Sequence, residues 1–155
     1  MEHIFLIKNK INMNEKFKIL NSKTFSDIET KEKGAQFSRY IQPGEIYTLN
    51  GNLGSGKTTF MKGILKGLNF NGSVTSPTYT LINEYDADYN IIHLDCYREK
   101  NLERWLNIGL TDYFDGNNII FIEWADFIES LLPEKTKNIS FEVVNDSERY
   151  IKYNE

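Results

Sequence analysis

Apolar residues along this chain follow two rhythms. Short, mostly apolar runs at 46–49 (I-Y-T-L), 91–94 (I-I-H-L) and 119–122 (I-I-F-I) are flanked by Gly, Asn, Asp or Glu. Runs of this length read as strands, and the least polar of them as strands buried on both faces. Between them, residues 57–68 put Phe60, Ile64, Leu65 and Leu68 on one face at helical spacing. Residues 26–40 read as a helix, opened by Ser26 and Glu29 in a capping box and stopped before Pro43-Gly44. Residues 102–108 form a short amphipathic helix. Two hairpins are expected: 79–85 with 89–94 around Asp86-Ala87-Asp88, and 139–144 with 149–153 around Asn145-Asp146. Residues 17–20 read as a further strand. Early alternation of strands with helices, then pairing as hairpins, predicts a three-layer α/β fold with a mixed sheet.

The first residues fit this scheme poorly. Residues 1–14 are rich in Lys and Asn around one apolar run at 4–7, and read as a short edge strand or a loose arm. Met13 is an alternative start. The expected organisation is an N-terminal extension over 1–16 and a single domain over 17–155.

Composition narrows the function. The 155 residues are 40% hydrophobic and 26% charged, which suits a packed core and not a disordered chain. The net charge of −4, with four arginines among 18 basic residues, makes direct nucleic-acid binding a poor fit, because phosphate neutralisation needs a basic patch. A single cysteine, Cys96, forms no internal disulfide and suits a reducing compartment. Without an apolar run of about 18 residues or a signal-peptide pattern, a soluble, cytoplasmic protein with no membrane contact is expected.

Residues 51–58, G-N-L-G-S-G-K-T, match the phosphate-binding loop G-x-x-x-x-G-K-[ST] in full. Glycines let successive backbone N–H groups turn inward towards phosphate oxygens. The helix that follows adds its positive N-terminal end. Lys57 supplies a charge for the β- and γ-phosphates, the Thr58 hydroxyl suits Mg²⁺, and Thr59 reaches the α-phosphate. Asn52, Leu53, Gly54, Ser55 and Gly56 complete the cradle. Such a match arises by chance in roughly one chain in 150 of this length, and here a strand precedes it and a helix follows. The expected fold is therefore α/β: a three-layer P-loop NTPase-like fold with a mixed, mostly parallel central sheet and a C-terminal hairpin. No N-K-x-D guanine loop follows the motif, and Asp112 lacks the glycine of a D-x-x-G switch, so ATP is the expected nucleotide.

Such a site needs further carboxylates to hold Mg²⁺ and orient the attacking group. Asp95 and Glu123 each end an apolar strand, on the edge where open α/β sheets bind ligands. The hydroxyl-rich loop V-T-S-P-T at 74–78 reads either as a switch over the γ-phosphate or as an ordinary turn. On composition alone Trp124, His93 and Cys96 are packing residues, with the His93 ring satisfied.

The stretches G-N-L-G-S-G-K-T-T-F (51–60), T-S-P-T-Y-T-L (75–81), H-L-D-C-Y-R (93–98), I-G-L (108–110) and I-E-W-A-D (122–126) resemble the bacterial TsaE (YjeE) ATPase family, over about residues 17–153. That resemblance implies a small ATPase needed to make N6-threonylcarbamoyladenosine (t6A) in tRNA. It implies ATP and Mg²⁺ as cofactors, a TsaB–TsaD heterodimer as partner, and contact with tRNA only indirectly. It implies phosphate or metal roles for Lys57, Thr58, Asp95 and Glu123, a functional Trp124, a switch around Ser76, Pro77 and Thr78, and membership of Arg98 in the same motif. Three features depart from the family pattern: Asn52 replaces its usual Asp, Cys96 its usual Leu, and residues 102–107 carry fewer acids. Two other readings compete. One is a small P-loop nucleoside or metabolite kinase with Arg98 and Arg104 as a lid. The other is a module that holds nucleotide without chemistry.

Overall fold

In the computed structural model, which describes residues 1–154, seven strands form one sheet: β1 (Ser22–Thr24), β2 (Ile46–Asn50), β3 (Ile82–Asp86), β4 (Asn90–Asp95), β5 (Ile119–Glu123), β6 (Lys137–Val143) and β7 (Arg149–Asn154). Their order is β1-β7-β6-β2-β5-β4-β3. The four central strands β6, β2, β5 and β4 run parallel, and the outer strands β1, β3 and β7 are antiparallel to their neighbours. The helices are α1 (Glu2–Leu20), α2 (Asp27–Phe37), α3 (Lys57–Gly67) and α4 (Leu102–Asn107), with 3₁₀ segments at Leu110–Phe114 and Ala125–Leu131. No helix among the described residues is long and apolar enough to cross a membrane.

The apolar runs are continuous because the central strands are covered on both sides. Tyr47, Leu49, Ile91, Ile119 and Phe121 face one layer, where they meet Phe37 of α2 and Phe60, Met61, Ile64 and Leu65 of α3. Their alternate neighbours Ile46, Ile92, Leu94, Ile120 and Ile122 face the other, against Trp105, Leu110 and Ile128. That gives the expected three layers, mixed sheet and C-terminal hairpin. The Ser26–Glu29 cap also forms: the Ser26 hydroxyl accepts the Glu29 N–H at 3.1 Å, and the Glu29 carboxylate accepts the Phe25 N–H at 2.8 Å.

α2 lies against α3 at backbone contact. A Cβ at Gly63 would stand 2.1 Å from the Lys31 carbonyl oxygen, so a side chain there would push α2 off the helix that begins at the phosphate loop.

The N-terminal expectations need correcting. Residues 2–14 form no edge strand, and residues 17–20 are not a strand; all lie in α1, whose first turns are exposed. The expected boundary at 16/17 therefore falls inside a helix. Lys, Glu, Met and Leu favour helix, and an apolar run of four residues is too short to impose a strand against them. The strand next to β7 is instead Ser22–Thr24. α1 docks through its last turns: Leu20 is buried, and the buried Lys16 ammonium bonds Glu45 Oε1 at 2.5 Å and donates to the Tyr47 hydroxyl at 2.9 Å. Lys137 meets the same carboxylate at 2.9 Å. The helix expected over 26–40 ends at Phe37, and the two 3₁₀ segments had no expectation.

Burial opposes ionisation of Glu45, but Lys16, Tyr47 and Lys137 outweigh it and hold its carboxyl below the ordinary 4.5. The stabilisation is thus complete above that value and fades as pH falls below it. Glu45→Gln should cost about 3 kcal/mol at pH 7, and the gap from wild type should narrow between pH 6 and pH 3 in urea unfolding. A gap independent of pH would contradict this anchor.

Candidate functional site

Register brings the chemistry to one edge of the sheet. β2, β4 and β5 are parallel, so their C-terminal ends lie side by side: Leu49 is opposite Glu123, and Glu123 is opposite Asp95. Phosphate-loop residues 51–56 leave β2 at this edge and turn into α3, whose first residue is Lys57. Asn52, Leu53 and Gly54 form an exposed tip, whereas Ser55 is buried. Gly56 caps the helix at φ +105°, a conformation that favours glycine. Gly51 is needed for a close approach: a Cβ there would stand 2.6 Å from Ser55 Oγ and 2.7 Å from the Phe141 carbonyl. Thr58 and Thr59 occupy the first turn of α3, half-buried beside the loop.

Lys57 is the centre of the site. Its ammonium is buried, donates to the carbonyls of Gly51 at 2.5 Å and Asn52 at 3.0 Å, and stands 4.0 Å from Glu123 Oε2. It also lies 5.6 Å from the centre of the Trp124 ring. Burial pulls its pKa below the ordinary lysine value, while the charges of Glu123 and Asp95 pull it back up. A cation resting on its own loop's carbonyls is poised for a stronger acceptor, and phosphate oxygens are stronger acceptors than amide carbonyls.

Both expected carboxylates are buried at this edge. Asp95 Oδ2 accepts the Thr78 hydroxyl at 2.8 Å, and Oδ1 accepts the Tyr97 N–H at 2.8 Å. Thr78 ties the 74–78 loop to the site. The loop is pinned elsewhere as well, because Tyr85 and Asn83 both donate to the Thr75 carbonyl, at 3.2 and 3.1 Å. Glu123 spends Oε1 on His93 Nε2 at 2.9 Å. The Trp124 backbone is left-handed (φ 56°), and its ring lies tilted against Tyr97, with centroids 4.9 Å apart, and 5.6 Å from the Lys57 ammonium. Two buried polar atoms here, Ser55 Oγ and Trp124 Nε1, have no hydrogen-bond partner among the described residues.

Some residues behave otherwise than expected. His93 is satisfied at Nε2 only, since Nδ1 is buried without a partner among the described residues. Arg149, which carried no expectation, donates to the Gly54 carbonyl at 3.3 Å and so joins the C-terminal hairpin to the loop tip. Arg98 stacks on Tyr79 at 4.5 Å and Arg104 pairs with Glu99 at 2.8 Å. Cys96 is packing, with its thiol pushed up to about 12 by burial and by Asp95. A cavity of about 640 Å³ near Lys16 and Glu45 lies at the opposite end of the strands and belongs to the α1 anchor.

Comparisons with known proteins show the family. A family model described as "Threonylcarbamoyl adenosine biosynthesis protein TsaE" matches residues 24–151. The tRNA threonylcarbamoyladenosine biosynthesis protein TsaE of Bacillus subtilis is 38% identical over 137 residues, covering 88% of this chain and 85% of the relative. The protein of the same name from Treponema pallidum is 37% identical over 123 residues, covering 79% and 91%. Among solved structures, Bacillus subtilis YdiB superposes with a TM-score of 0.73 at 35% identity, covering 85% of this chain and 82% of that one.

Gly51→Ala should force the loop open, cost about 3 kcal/mol in denaturant unfolding, and weaken nucleotide binding at least tenfold by calorimetry. Unchanged affinity would mean that the loop does not hold the phosphates.

Proposed function

The chain belongs to the TsaE family, and from that premise we propose that it binds and hydrolyses ATP with Mg²⁺ to support t6A formation by a TsaB–TsaD heterodimer. The observation that carries this reading is the convergence of Lys57, Asp95 and Glu123 on the first turn of α3.

The residues present fit a nucleotide. The loop has a close approach that only glycine permits at position 51, and a buried hydroxyl at Ser55 that lacks a partner. The donor set fits magnesium, a hard cation that prefers oxygen ligands: the Thr58 hydroxyl with the Asp95 and Glu123 carboxylates. When bound, the ion neutralises charge on the phosphate oxygens.

The chain's own groups do the rest. The loop after β2 and the N-terminal end of α3 receive the phosphates. Lys57 exchanges the carbonyls of Gly51 and Asn52 for phosphate oxygens. Asp95, itself held by Thr78 and Tyr97, orients the attacking water or the ion's water shell. Because Thr78 bonds the same carboxylate, the 74–78 loop senses what occupies the site. Arg98 and Arg104, engaged with Tyr79 and Glu99, give no support to a kinase lid. A net charge of −4 suits a protein that reaches tRNA only through its partner.

The deciding experiment is reconstitution of t6A synthesis with TsaB, TsaD and tRNA. Adding this protein should raise multiple-turnover yield and release ADP. No change in yield, or phosphate transfer to a nucleoside acceptor, would overturn the reading. Lys57→Ala should weaken ATP binding about 10- to 100-fold, the value of a charge-assisted contact. Glu123→Ala should cut partner-stimulated turnover about 100-fold while changing affinity in the absence of Mg²⁺ less than fivefold; the opposite split would contradict its role. We further propose that residues 1–12, which precede the Lys16 anchor, are dispensable. Their deletion should leave ATP turnover within twofold of wild type, and a variant that no longer folds would count against this.

A further inference from the structure

His93 lies on β4 two residues before Asp95, so both side chains project to the face that carries α3. It is completely buried, and its neighbours in sequence, Ile92 and Leu94, pack into the core on the opposite face. An apolar residue would pack at such a position without penalty. Histidine instead leaves Nδ1 buried with no partner among the described residues, an arrangement that costs stability. What the ring gains is one contact: Nε2 lies 2.9 Å from Glu123 Oε1. An ionised carboxylate only accepts, so Nε2 carries the hydrogen and donates it.

The two oxygens of Glu123 are thereby assigned different tasks. Oε1 is taken by His93, and Oε2 points towards Lys57 at 4.0 Å, beyond direct hydrogen-bond reach. Without the imidazole, nothing described here holds Oε1 away from the ammonium. A carboxylate released beside a buried cation closes onto it, because the attraction between unit charges grows as their separation falls. A closed Lys57–Glu123 pair would take the free Glu123 oxygen out of reach of a bound ion.

We propose that His93 is a positioning residue that fixes Glu123 with one oxygen turned to the nucleotide site and keeps it from collapsing onto Lys57. This rests on the ATPase reading above and adds to it a residue whose task is to hold the carboxylate, with no contact to substrate.

His93→Leu removes the donor while preserving apolar bulk. His93→Gln retains a donor at a similar reach from the backbone. Both are to be compared with wild type in partner-stimulated ATP turnover and in calorimetric affinity for a non-hydrolysable ATP analogue, with and without Mg²⁺, after thermal melts show each variant folded. His93→Leu should lower kcat about 10- to 100-fold, change analogue affinity in the absence of Mg²⁺ less than fivefold, and lose most of the Mg²⁺ enhancement of binding. His93→Gln should recover at least a third of wild-type kcat together with that enhancement. Wild-type kcat in His93→Leu, or a folded His93→Gln as impaired as His93→Leu, would overturn the role of His93 and leave the ATPase reading standing. Absence of turnover in the wild type would sink the ATPase reading, and the Mg²⁺ enhancement would still decide the role of His93: equal enhancement in wild type and His93→Leu overturns it. If His93→Leu does not fold, the same comparison of wild type with His93→Gln decides, and loss of kcat or Mg²⁺ enhancement in His93→Gln overturns the proposal.

Discussion

A buried ammonium group with no full-strength partner governs this structure. Lys57 is held by two backbone carbonyls and sits just outside bonding distance of a carboxylate. Burying a charge costs free energy unless strong acceptors compensate. Two amide oxygens compensate only in part, as the downward pull of burial on the lysine pKa indicates. The surrounding fold maintains this unsatisfied state: glycine contacts keep α2 against α3, the sheet register sets Glu123 beside Leu49, and Trp124 covers the ammonium from above. The proposed nucleotide would supply the acceptors that such an arrangement lacks.

The same edge links that cation to the rest of the molecule by short paths. Asp95 connects to the 74–78 loop through Thr78, and Glu123 connects to the interior of β4 through His93. Gly54 connects to the C-terminal hairpin through Arg149. Each contact joins the loop, or an acid beside it, to a different element. The 74–78 loop and the β6–β7 turn are thereby both tied to this edge of the sheet.

Legibility from sequence followed the strength of local signals. The strands β2, β4 and β5, expected at 46–49, 89–94 and 118–122, were readable because burial on both faces leaves long apolar runs, and the P-loop because its motif is complete. The two acids were readable from their place at strand ends. α1 was not, since its apolar residues at 4–7 fit helix and strand alike and its anchor is a long-range charge contact between Lys16 and Glu45. The roles of His93 and Arg149 were hidden for the same reason: each depends on a partner far along the chain, 30 and 95 residues away. For His93 a faint signal existed, a polar residue within an apolar strand on the same side as Asp95. On composition Trp124 read as core, and only the family resemblance marked it as functional, because nothing local tells that its backbone turns left-handed and brings the ring within 5.6 Å of Lys57.

The most direct test is a crystal structure grown with millimolar Mg²⁺ and a non-hydrolysable ATP analogue. The account predicts phosphates seated at the first turn of α3, with the Lys57 ammonium moved from the Gly51 and Asn52 carbonyls onto phosphate oxygens. An empty loop at that concentration, with Lys57 still on the two carbonyls, would contradict it.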